Sequence, residues 1–311
     1  MNPKILESLS LDEWDARLSR VCGVFHTQNA ARQVQGAASI KSLLGLDIAT
    51  VCVSSSTITR SLKDAQLDGA SHYFLLVQKA ASSHISHNDH NVHLQAGDML
   101  MVDSSCETQF QFVQDGPRAG DVSEQISVHI PRHLLETRFP KARVGEKIPA
   151  HSELAKCALE QITALQDLSS LLDHPGMNTE QFQTMFVRTL THIFADTRHQ
   201  NRFVRILMHL LKDGEGGIQD VEYLARLSCS SRRTFFRIFE RSEISFVELL
   251  QYIRLLKFLK LSNGANAARQ RVSISQMVYD SGFRDISNFN HLFKATFGVS
   301  PKMLMSARDV G

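Results

Sequence analysis

The sequence predicts an α+β chain in three parts: an N-terminal β-sandwich or open barrel, a helical linker, and a C-terminal all-α domain with two helix-turn-helix units. The chain has 311 residues, 43% of them apolar, and a chain of this length usually divides into more than one core. Short β-prone runs are confined to the first half, and one helical pattern occurs twice in the last third. We therefore expect the sandwich and its leading helix at residues 1–150, the linker at 151–201 and the helical domain at 202–311.

Residues 10–25 predict an amphipathic helix ahead of the sandwich. Ser10 and Glu13 have the spacing of a capping box. The apolar residues that follow recur at intervals of three and four, at Trp14, Leu18, Val21, Cys22 and Phe25. We expect this face to pack on the sandwich, where Trp14 either closes an interior pocket or simply belongs to the core.

Five short β-prone runs follow, separated by Gly, Ser, Asp and Asn. They are Ile48–Val53, His72–Val77, Met99–Val102, Thr108–Val113 and Gln125–Ile130. Strands at this spacing are typical of a sandwich or barrel of the cupin-like kind. The interior of such a fold is where we expect a pocket for a small ligand.

Four histidines, at positions 84, 87, 90 and 93, raise the alternative of a metal site. If the chain turns at residues 88–89, His84 faces His93 and His87 faces His90 across a hairpin. Because side chains alternate along a strand, the two pairs then lie on opposite faces of the sheet. We therefore predict a solvated polar hairpin, with no metal ion and no cofactor.

Two apolar helical stripes predict the linker, with a break at Asp173–Gly176 between them. They consist of Leu154, Ala158, Ile162, Leu165 and Leu168, and of Phe182, Met185, Phe186, Thr189 and Ile193. Such stripes either form a core within one chain or bury their faces against a second copy. Both alternatives stay open, so a homodimer is one candidate assembly.

The last third of the chain contains one helical pattern twice. Phe235, Arg237 and Phe239 recur 54 positions later as Phe289, His291 and Phe293. In each copy a helix, a short turn and a second helix follow one another, the arrangement that places its second helix in the major groove of DNA. A connector helix opens with a capping box at Ser245 and is expected to run to about Leu261.

The charge distribution favours a nucleic-acid partner for this region. Residues 1–201 carry 17 basic and 22 acidic residues, whereas residues 202–311 carry 17 basic and 10 acidic ones. A basic domain beside an acidic one suggests contact with a polyanion. An ordinary all-helical domain would explain the apolar spacing, but it would not require four arginines on one short helix, at 232, 233, 237 and 241.

Specific motifs in this region resemble the AraC-type DNA-binding domain. They are Leu224–Phe239, Arg254-Leu255 and, above all, Gly282–Pro301. The resemblance implies two helix-turn-helix units on one connector helix, with their second helices in successive major grooves of double-stranded DNA. The sequence departs from the family pattern at Cys229 and Glu243, where Gly is usual, at His291, where Arg is common, and in a longer stretch at 262–272.

Nearly the full length of the chain is similar, though more loosely, to the FeaR-type activators of aromatic amine catabolism. The similarity lies in Met1–Pro3, Trp14, Val21–Phe25, Gln95–Ser104 and Glu124–Pro140. It implies a transcription activator that responds to a small aromatic amine or aldehyde and acts on RNA polymerase. It does not specify the effector or the residues of its pocket.

The resemblance also implies roles for individual residues. Arg233, Phe236 and Arg237 are expected to face bases from the first recognition helix, and Ile286, Ser287, Asn290 and His291 from the second. Arg pairs with guanine, Asn with adenine, and Phe or Ile covers a thymine methyl group. Arg232, Arg241 and Lys294 are expected to touch phosphates, while Phe236 has core packing as its alternative.

An enzymatic function has little support in the sequence. The chain has no phosphate-binding loop, no nucleophile elbow and no zinc-spaced Cys/His set. Its five cysteines have no paired spacing and its N-terminus lacks a signal-peptide pattern, so we expect a soluble cytoplasmic regulator with reduced thiols. Two alternatives remain: a metal-dependent cupin-type enzyme with a DNA-binding tail, and a constitutive DNA-binding protein with a vestigial sandwich.

Overall fold

A computed structural model divides the chain into two units, Met1–Lys156 and Cys157–Gly311. The structure describes residues 6–44, 46–69, 71–113, 122–136, 143–172, 176–194, 200–212, 220–240, 244–267 and 272–306. Arg241, Glu243 and residues 173–175 of the expected break lie outside these ranges. Within them, no helix combines the length and apolar character needed to cross a lipid bilayer.

In the residues that the structure describes, unit 1 is built from two β-sheets and three short helices. Its strands are β1 Glu7–Ser10, β2 His26–Gln28, β3 Gln33–Leu43, β4 Leu46–Val53, β5 Ser56–Arg60, β6 His72–Ala80, β7 Ser82–His87, β8 His90–Leu94, β9 Met99–Asp103, β10 Thr108–Val113, β11 Ser123–Pro131 and β12 Lys147–Ile148. Its helices are α1 Leu11–Val21, α2 Leu62–Leu67 and α3 Arg132–Glu136. One sheet has the order β1-β3-β4-β11-β6-β9-β12 and the other β2-β5-β10-β7-β8. The predicted sandwich is confirmed.

Helix α1 forms as its capping signal predicts. The Ser10 hydroxyl accepts from the Glu13 backbone, and the Glu13 carboxylate accepts from the Ser10 backbone. Trp14 is completely buried and lies on Gly36 of β3, where a Cβ atom would stand 2.7 Å from the indole ring. Trp14 therefore belongs to the core, the second of its two predicted roles.

Strands form at all five predicted runs, but β1, β2, β3, β5 and β12 were not predicted. Strand β3 is polar along much of its length, and its burial alternates only from Gln33 to Gly36. It pairs with β1 and β4 in an antiparallel register. A strand with so few buried side chains lacks the apolar signal by which strands are recognised in a sequence.

The hairpin β7–β8 confirms the predicted histidine register. His84 pairs with His93 and His87 with His90, and Asn88 takes the positive φ that the turn requires. His87 is buried, with Nδ1 bonded to the Thr108 hydroxyl at 2.8 Å, whereas the rings of His84 and His93 stack 4.3 Å apart on the other face. In the described part of the chain, no three His, Cys, Asp or Glu residues converge on a metal position.

Unit 2 is helical in its described part. Its helices are α4 Glu153–Asp167, which begins just before the division, α5 Ser169–Leu172, α6 Glu180–Phe194, α7 Gln200–Lys212, α8 Val221–Leu227, α9 Arg232–Glu240, α10 Phe246–Ala267, α11 Ile274–Asp280, α12 Ile286–Phe297 and α13 Pro301–Ser306. The predicted linker stripes lie on α4 and α6, with Leu168 in the turn between α4 and α5.

The linker helices pack on the helix-turn-helix region. The Phe182 ring on α6 lies 5.1 Å from that of Tyr252 on α10 and 5.4 Å from that of Phe297 on α12. The Tyr252 hydroxyl donates to the Gln161 side chain on α4 at 3.3 Å. The apolar stripes are thus largely buried within one chain and serve as its core. Whether the protein forms a homodimer stays a prediction.

Candidate DNA-binding site

The first helix-turn-helix unit consists of α8, a short turn and α9. Asp220 caps α8 by accepting from the Glu222 backbone, and buried side chains of both helices face each other, Leu224 and Ala225 from α8 and Phe235, Ile238 and Phe239 from α9. In the turn, the Ser228 hydroxyl donates to the Leu224 carbonyl at 2.9 Å. Cys229 follows with φ of +50°, so the turn needs the left-handed conformation for which Gly is the usual residue.

The outer face of α9 carries the predicted DNA-contacting residues. Arg232, Arg233 and Arg237 are exposed, and Phe236 is 42% exposed. The Phe236 ring touches that of Phe235 edge-on, with centroids 5.5 Å apart. Phe236 therefore lies off the buried stripe, which leaves its ring accessible to a ligand of this face.

The second unit consists of α11, a turn and α12. Gly282 has φ of +92°, and the buried Phe283 ring lies 4.9 Å from that of Phe289, as the sequence predicts. Asp285 caps α12 by accepting from the Asn288 backbone at 2.7 Å. Four of the predicted contact residues on α12 are exposed and one, Ile286, is half-buried; the exposed ones are Ser287, Asn290, His291 and Lys294.

One helix, α10, packs against both units. The Phe246 ring near its start lies 5.1 Å from that of Phe235 in the first unit. The Phe258 ring lies 4.6 Å from that of Phe289 in the second. These anchors are twelve residues apart in the sequence, which is about 18 Å along a helix. Helix α10 therefore holds the two second helices at a fixed separation.

Sequence reasoning did not assign a role to two arginines of this region. Arg284 is exposed in the turn before α12, and Arg254 of α10 lies with its guanidinium 5.7 Å from the Phe283 ring centre. Burial, followed by the charge of Arg284, lowers the pKa of Arg254. Arg284 belongs to the Gly282–Pro301 motif and precedes Asp285, the N-cap of α12. The sequence alone does not show that its side chain is exposed.

Unit 1 contains a small apolar cavity between its sheets. Its volume is about 40 Å³, and its walls include Leu18, Phe25, Phe74, Phe110 and Phe112. A cavity of this size holds only a few water molecules. The interior that the sequence predicts for an effector therefore has little free space of its own.

Comparisons with known proteins agree with this architecture. Residues 224–307 match a helix-turn-helix domain family, and residues 14–197, more than half of the chain, match the AraC-binding-like domain. The chain is 22% identical over 275 residues to the transcriptional activator NphR of Rhodococcus, covering 82% of this chain and 76% of that protein. It is 29% identical over 138 residues to the transcriptional activator RhrA of Rhizobium meliloti, covering 42% of each.

Among solved structures, the AraC-like transcriptional activator CuxR is similar with a TM-score of 0.45 and 11% identity, over 88% of this chain and 99% of that one. The family match to residues 14–197 and the match to the helix-turn-helix domain at residues 224–307 together cover most of the chain. The paired helix-turn-helix units, the β-sandwich and both domain matches establish that this chain belongs to the AraC family of DNA-binding transcription regulators.

Proposed function

We propose that this protein is a transcription activator that reads its operator with α9 and α12 and responds to a small aromatic amine or aldehyde. The observation that carries the DNA-binding part is the pair of exposed faces on these helices, both packed against α10. A rigid connector fixes the distance between two recognition helices, as is needed for successive major grooves.

The exposed side chains divide by chemistry into two roles. Arg233, Phe236 and Arg237 on α9 read bases, because a guanidinium can pair with guanine and an aromatic ring can cover a thymine methyl group. Ile286, Ser287, Asn290 and His291 do the same from α12. Arg232 and Lys294 hold the phosphate backbone, which fixes orientation without reading sequence. Arg241, which lies outside the described residues, is assigned the same role from the sequence alone.

The activator and effector parts of the proposal have separate support. The relatives NphR and RhrA are transcriptional activators, and nearly the full length of the chain loosely resembles the FeaR-type activators. We infer that effector binding in unit 1 changes how the protein engages RNA polymerase at the promoter. A reporter fused to the neighbouring operon tests this part: its output rises with one class of aromatic amine or aldehyde, whereas a constitutive regulator would ignore all of them.

Arg237→Ala tests the reading role of α9. Loss of a bidentate contact to guanine should cost about 1–3 kcal/mol on operator DNA and should relax preference at one base pair. Arg232→Ala should weaken operator and random DNA by the same factor, because a phosphate contact carries no sequence information. Affinities of the full chain are measured by fluorescence anisotropy on both DNAs.

Lys63→Ala is the matched control for these two variants, since Lys63 is also an exposed cation but belongs to α2 of unit 1. Its affinity should equal that of the unchanged protein. If Arg237→Ala loses equal affinity on operator and random DNA, α9 does not read bases through this residue.

A further inference from the structure

The second helices of the two units differ in positive charge. Helix α9 carries three arginines and one glutamate, whereas Lys294 is the single lysine or arginine of α12. The positions of α12 that match the three arginines are occupied by Ile286, Ser287 and His291. Cations beside a helix in the major groove hold it to the phosphates on either side. The second unit therefore needs a cation from outside α12 to hold DNA as firmly as the first.

Arg284 lies in the turn that leads into α12. It is exposed and directly precedes Asp285, the N-cap of α12. When the second helix of such a unit lies in a major groove, its N-terminal end faces the DNA, and phosphates lie beside that end. The matching residue of the first unit is Ser230, whose hydroxyl donates to the Ser228 carbonyl. The second unit therefore has a cation at a position where the first has none.

The Arg284 guanidinium is not engaged by the part of the chain that the structure describes. No hydrogen bond or ion pair joins it to another described side chain. Of the two acids in this turn, Asp280 accepts from the Gln276 side chain at 2.7 Å, and Asp285 accepts from the Asn288 backbone at 2.7 Å. A guanidinium has a planar fork of donors that fits two oxygens of one phosphate. Arg284 can therefore bind a phosphate without breaking a bond within the protein.

Arg254 of α10 places a second positive charge close to Arg284. Its guanidinium lies 5.7 Å from the ring centre of Phe283, the residue before Arg284, and that ring is buried against Phe289. Burial, followed by the charge of Arg284, lowers the pKa of Arg254. The two guanidinium groups thus repel each other in the protein without DNA. A phosphate at Arg284 offsets this repulsion, because it attracts both charges.

We propose that Arg284 binds one phosphate of the DNA backbone beside the N-terminus of α12, and that Arg254 strengthens this contact through its charge without touching the DNA. The contact positions the second reading helix in its groove and carries no sequence information. This inference rests on the proposed function, because it assigns a further residue to DNA binding by the second unit.

Affinities of the full chain for operator and random DNA, measured by fluorescence anisotropy over a range of salt concentrations, test the contact. Arg284→Gln should weaken binding to both DNAs by the same factor, at least about threefold, as expected for an exposed ion pair. The salt slope should fall by about one unit. Arg20→Gln, the same substitution at an exposed arginine of α1 in unit 1, is the control and should change neither quantity. Unchanged affinity and slope for Arg284→Gln would overturn the proposal, as would a loss confined to operator DNA.

Neutral methylphosphonate groups, placed one at a time along the operator, locate the phosphate. The unchanged protein should lose affinity wherever a contacted phosphate becomes neutral. At one of these positions Arg284→Gln should be insensitive to the replacement, because the partner of that phosphate is already missing. Arg20→Gln should be as sensitive as the unchanged protein at all positions. If Arg284→Gln is also as sensitive at every position, Arg284 does not contact a phosphate.

Two variants of Arg254 separate its charge from its packing. Arg254→Lys keeps the charge and should bind both DNAs as the unchanged protein does. Arg254→Gln removes the charge and should weaken binding to both DNAs equally, by a smaller factor than Arg284→Gln. Equal losses for the two variants would give Arg254 a packing role and overturn its part of the proposal. If circular dichroism shows that Arg254→Gln is unfolded, Arg254→Lys decides, because a loss of affinity despite the retained charge contradicts the role in DNA binding.

The same measurements separate this inference from the proposed function. If the unchanged protein prefers operator DNA and Arg284→Gln does not differ from it, the phosphate contact is refuted and base reading stands. If the unchanged protein has no preference for operator DNA but Arg284→Gln lowers the salt slope, base reading is refuted and the phosphate contact stands.

Discussion

Cys229 occupies a backbone conformation that suits glycine better than cysteine. Its φ of +50° lies in the left-handed region, which costs a residue with a side chain about 1–2 kcal/mol. Its exposed thiol has only a weak contact, 3.6 Å from a guanidinium nitrogen of Arg205. Replacing Cys229 by glycine should therefore relieve more backbone strain than it costs in lost side-chain contacts.

Cys229→Gly should accordingly stabilise the protein by about 0.5–1 kcal/mol, part of the gain being offset by the greater freedom of glycine in the unfolded chain. Urea unfolding followed by circular dichroism measures the change. Ser230→Gly, one position further and without a positive φ, is the control and should destabilise, because the Ser230 hydroxyl bond to the Ser228 carbonyl is lost. A destabilised Cys229→Gly variant would show that the contacts of the thiol stabilise the fold by more than the backbone strain costs.

We expect His291 to limit how strongly the second candidate recognition helix can hold DNA. It is exposed on α12, at the position that corresponds to Arg237 of α9 in the repeated pattern. A neutral imidazole offers one donor, whereas a guanidinium offers five donors and a permanent charge.

His291→Arg should therefore tighten DNA binding at about pH 7.5. If the new side chain meets a phosphate, the gain appears on all sequences and the salt dependence steepens by up to about one unit; if it reads a base, the gain is confined to sites with guanine there. Thr296→Ser, a small change at a buried position of the same helix, should leave affinity unaltered. Unchanged affinity of His291→Arg on every DNA would exclude a DNA contact at this position.

At the scale of elements, caps and turns could be predicted from the sequence more reliably than the ends of elements. Ser10 and Ser245 both form the capping boxes that their spacing indicates, since these bonds join residues only three apart. At Ser273 half of the motif forms: the hydroxyl accepts from the Gln276 backbone, but the Gln276 side chain donates to Asp280 instead.

Helix α10 ends later than the sequence indicates, because contacts from distant residues prolong it. The predicted end is about Leu261, but the helix continues to Ala267 through Gly264. Buried Ser262 and a hydrogen bond from the Asn263 side chain to the Asp167 carbonyl at 3.0 Å hold this last part. A single sequence does not reveal a partner 96 positions away.

The candidate sites also contain features that the sequence could predict and features that it could not. Exposure of Arg237 and Asn290 follows from helical periodicity, which the sequence contains. The small apolar cavity of unit 1 does not, because its walls come from α1 and from strands of both sheets, which only the fold brings together.

Gly264→Ala tests whether the extension of α10 is limited by helix propensity. A methyl group at this position meets no heavy atom within 4 Å, and alanine stabilises a helix interior by about 1 kcal/mol relative to glycine. The variant should gain about that amount in chemical unfolding. Gly298→Ala is the control: Gly298 ends α12 with φ of +73°, so alanine there should destabilise. A neutral or destabilising Gly264→Ala would mean that this turn is not helical in solution.

At the scale of the whole molecule, charge is segregated along the chain. Residues 1–201 have a net charge of −5 and residues 202–311 one of +7. The acidic part includes unit 1, and the basic part includes both candidate recognition helices, α9 and α12. We therefore expect attraction to DNA to be concentrated in the basic part, where the proposed reading residues lie.

This segregation predicts a steep salt dependence of DNA binding by the full chain. Each phosphate neutralised by a cation releases condensed counterions, so the logarithm of the affinity falls with the logarithm of salt concentration by about 0.9 per contact. Arg232→Ala and Lys294→Ala should each reduce this slope by about one unit, and the double variant by about two, because the two residues lie on different helices and contact separate phosphates. Lys63→Ala, which removes the same charge from unit 1, should leave the slope unchanged. An affinity that does not change between about 50 and 200 mM salt would contradict the expected release of counterions. If Lys63→Ala reduces the slope as much as Arg232→Ala does, net charge and not these two helices attracts the protein to DNA.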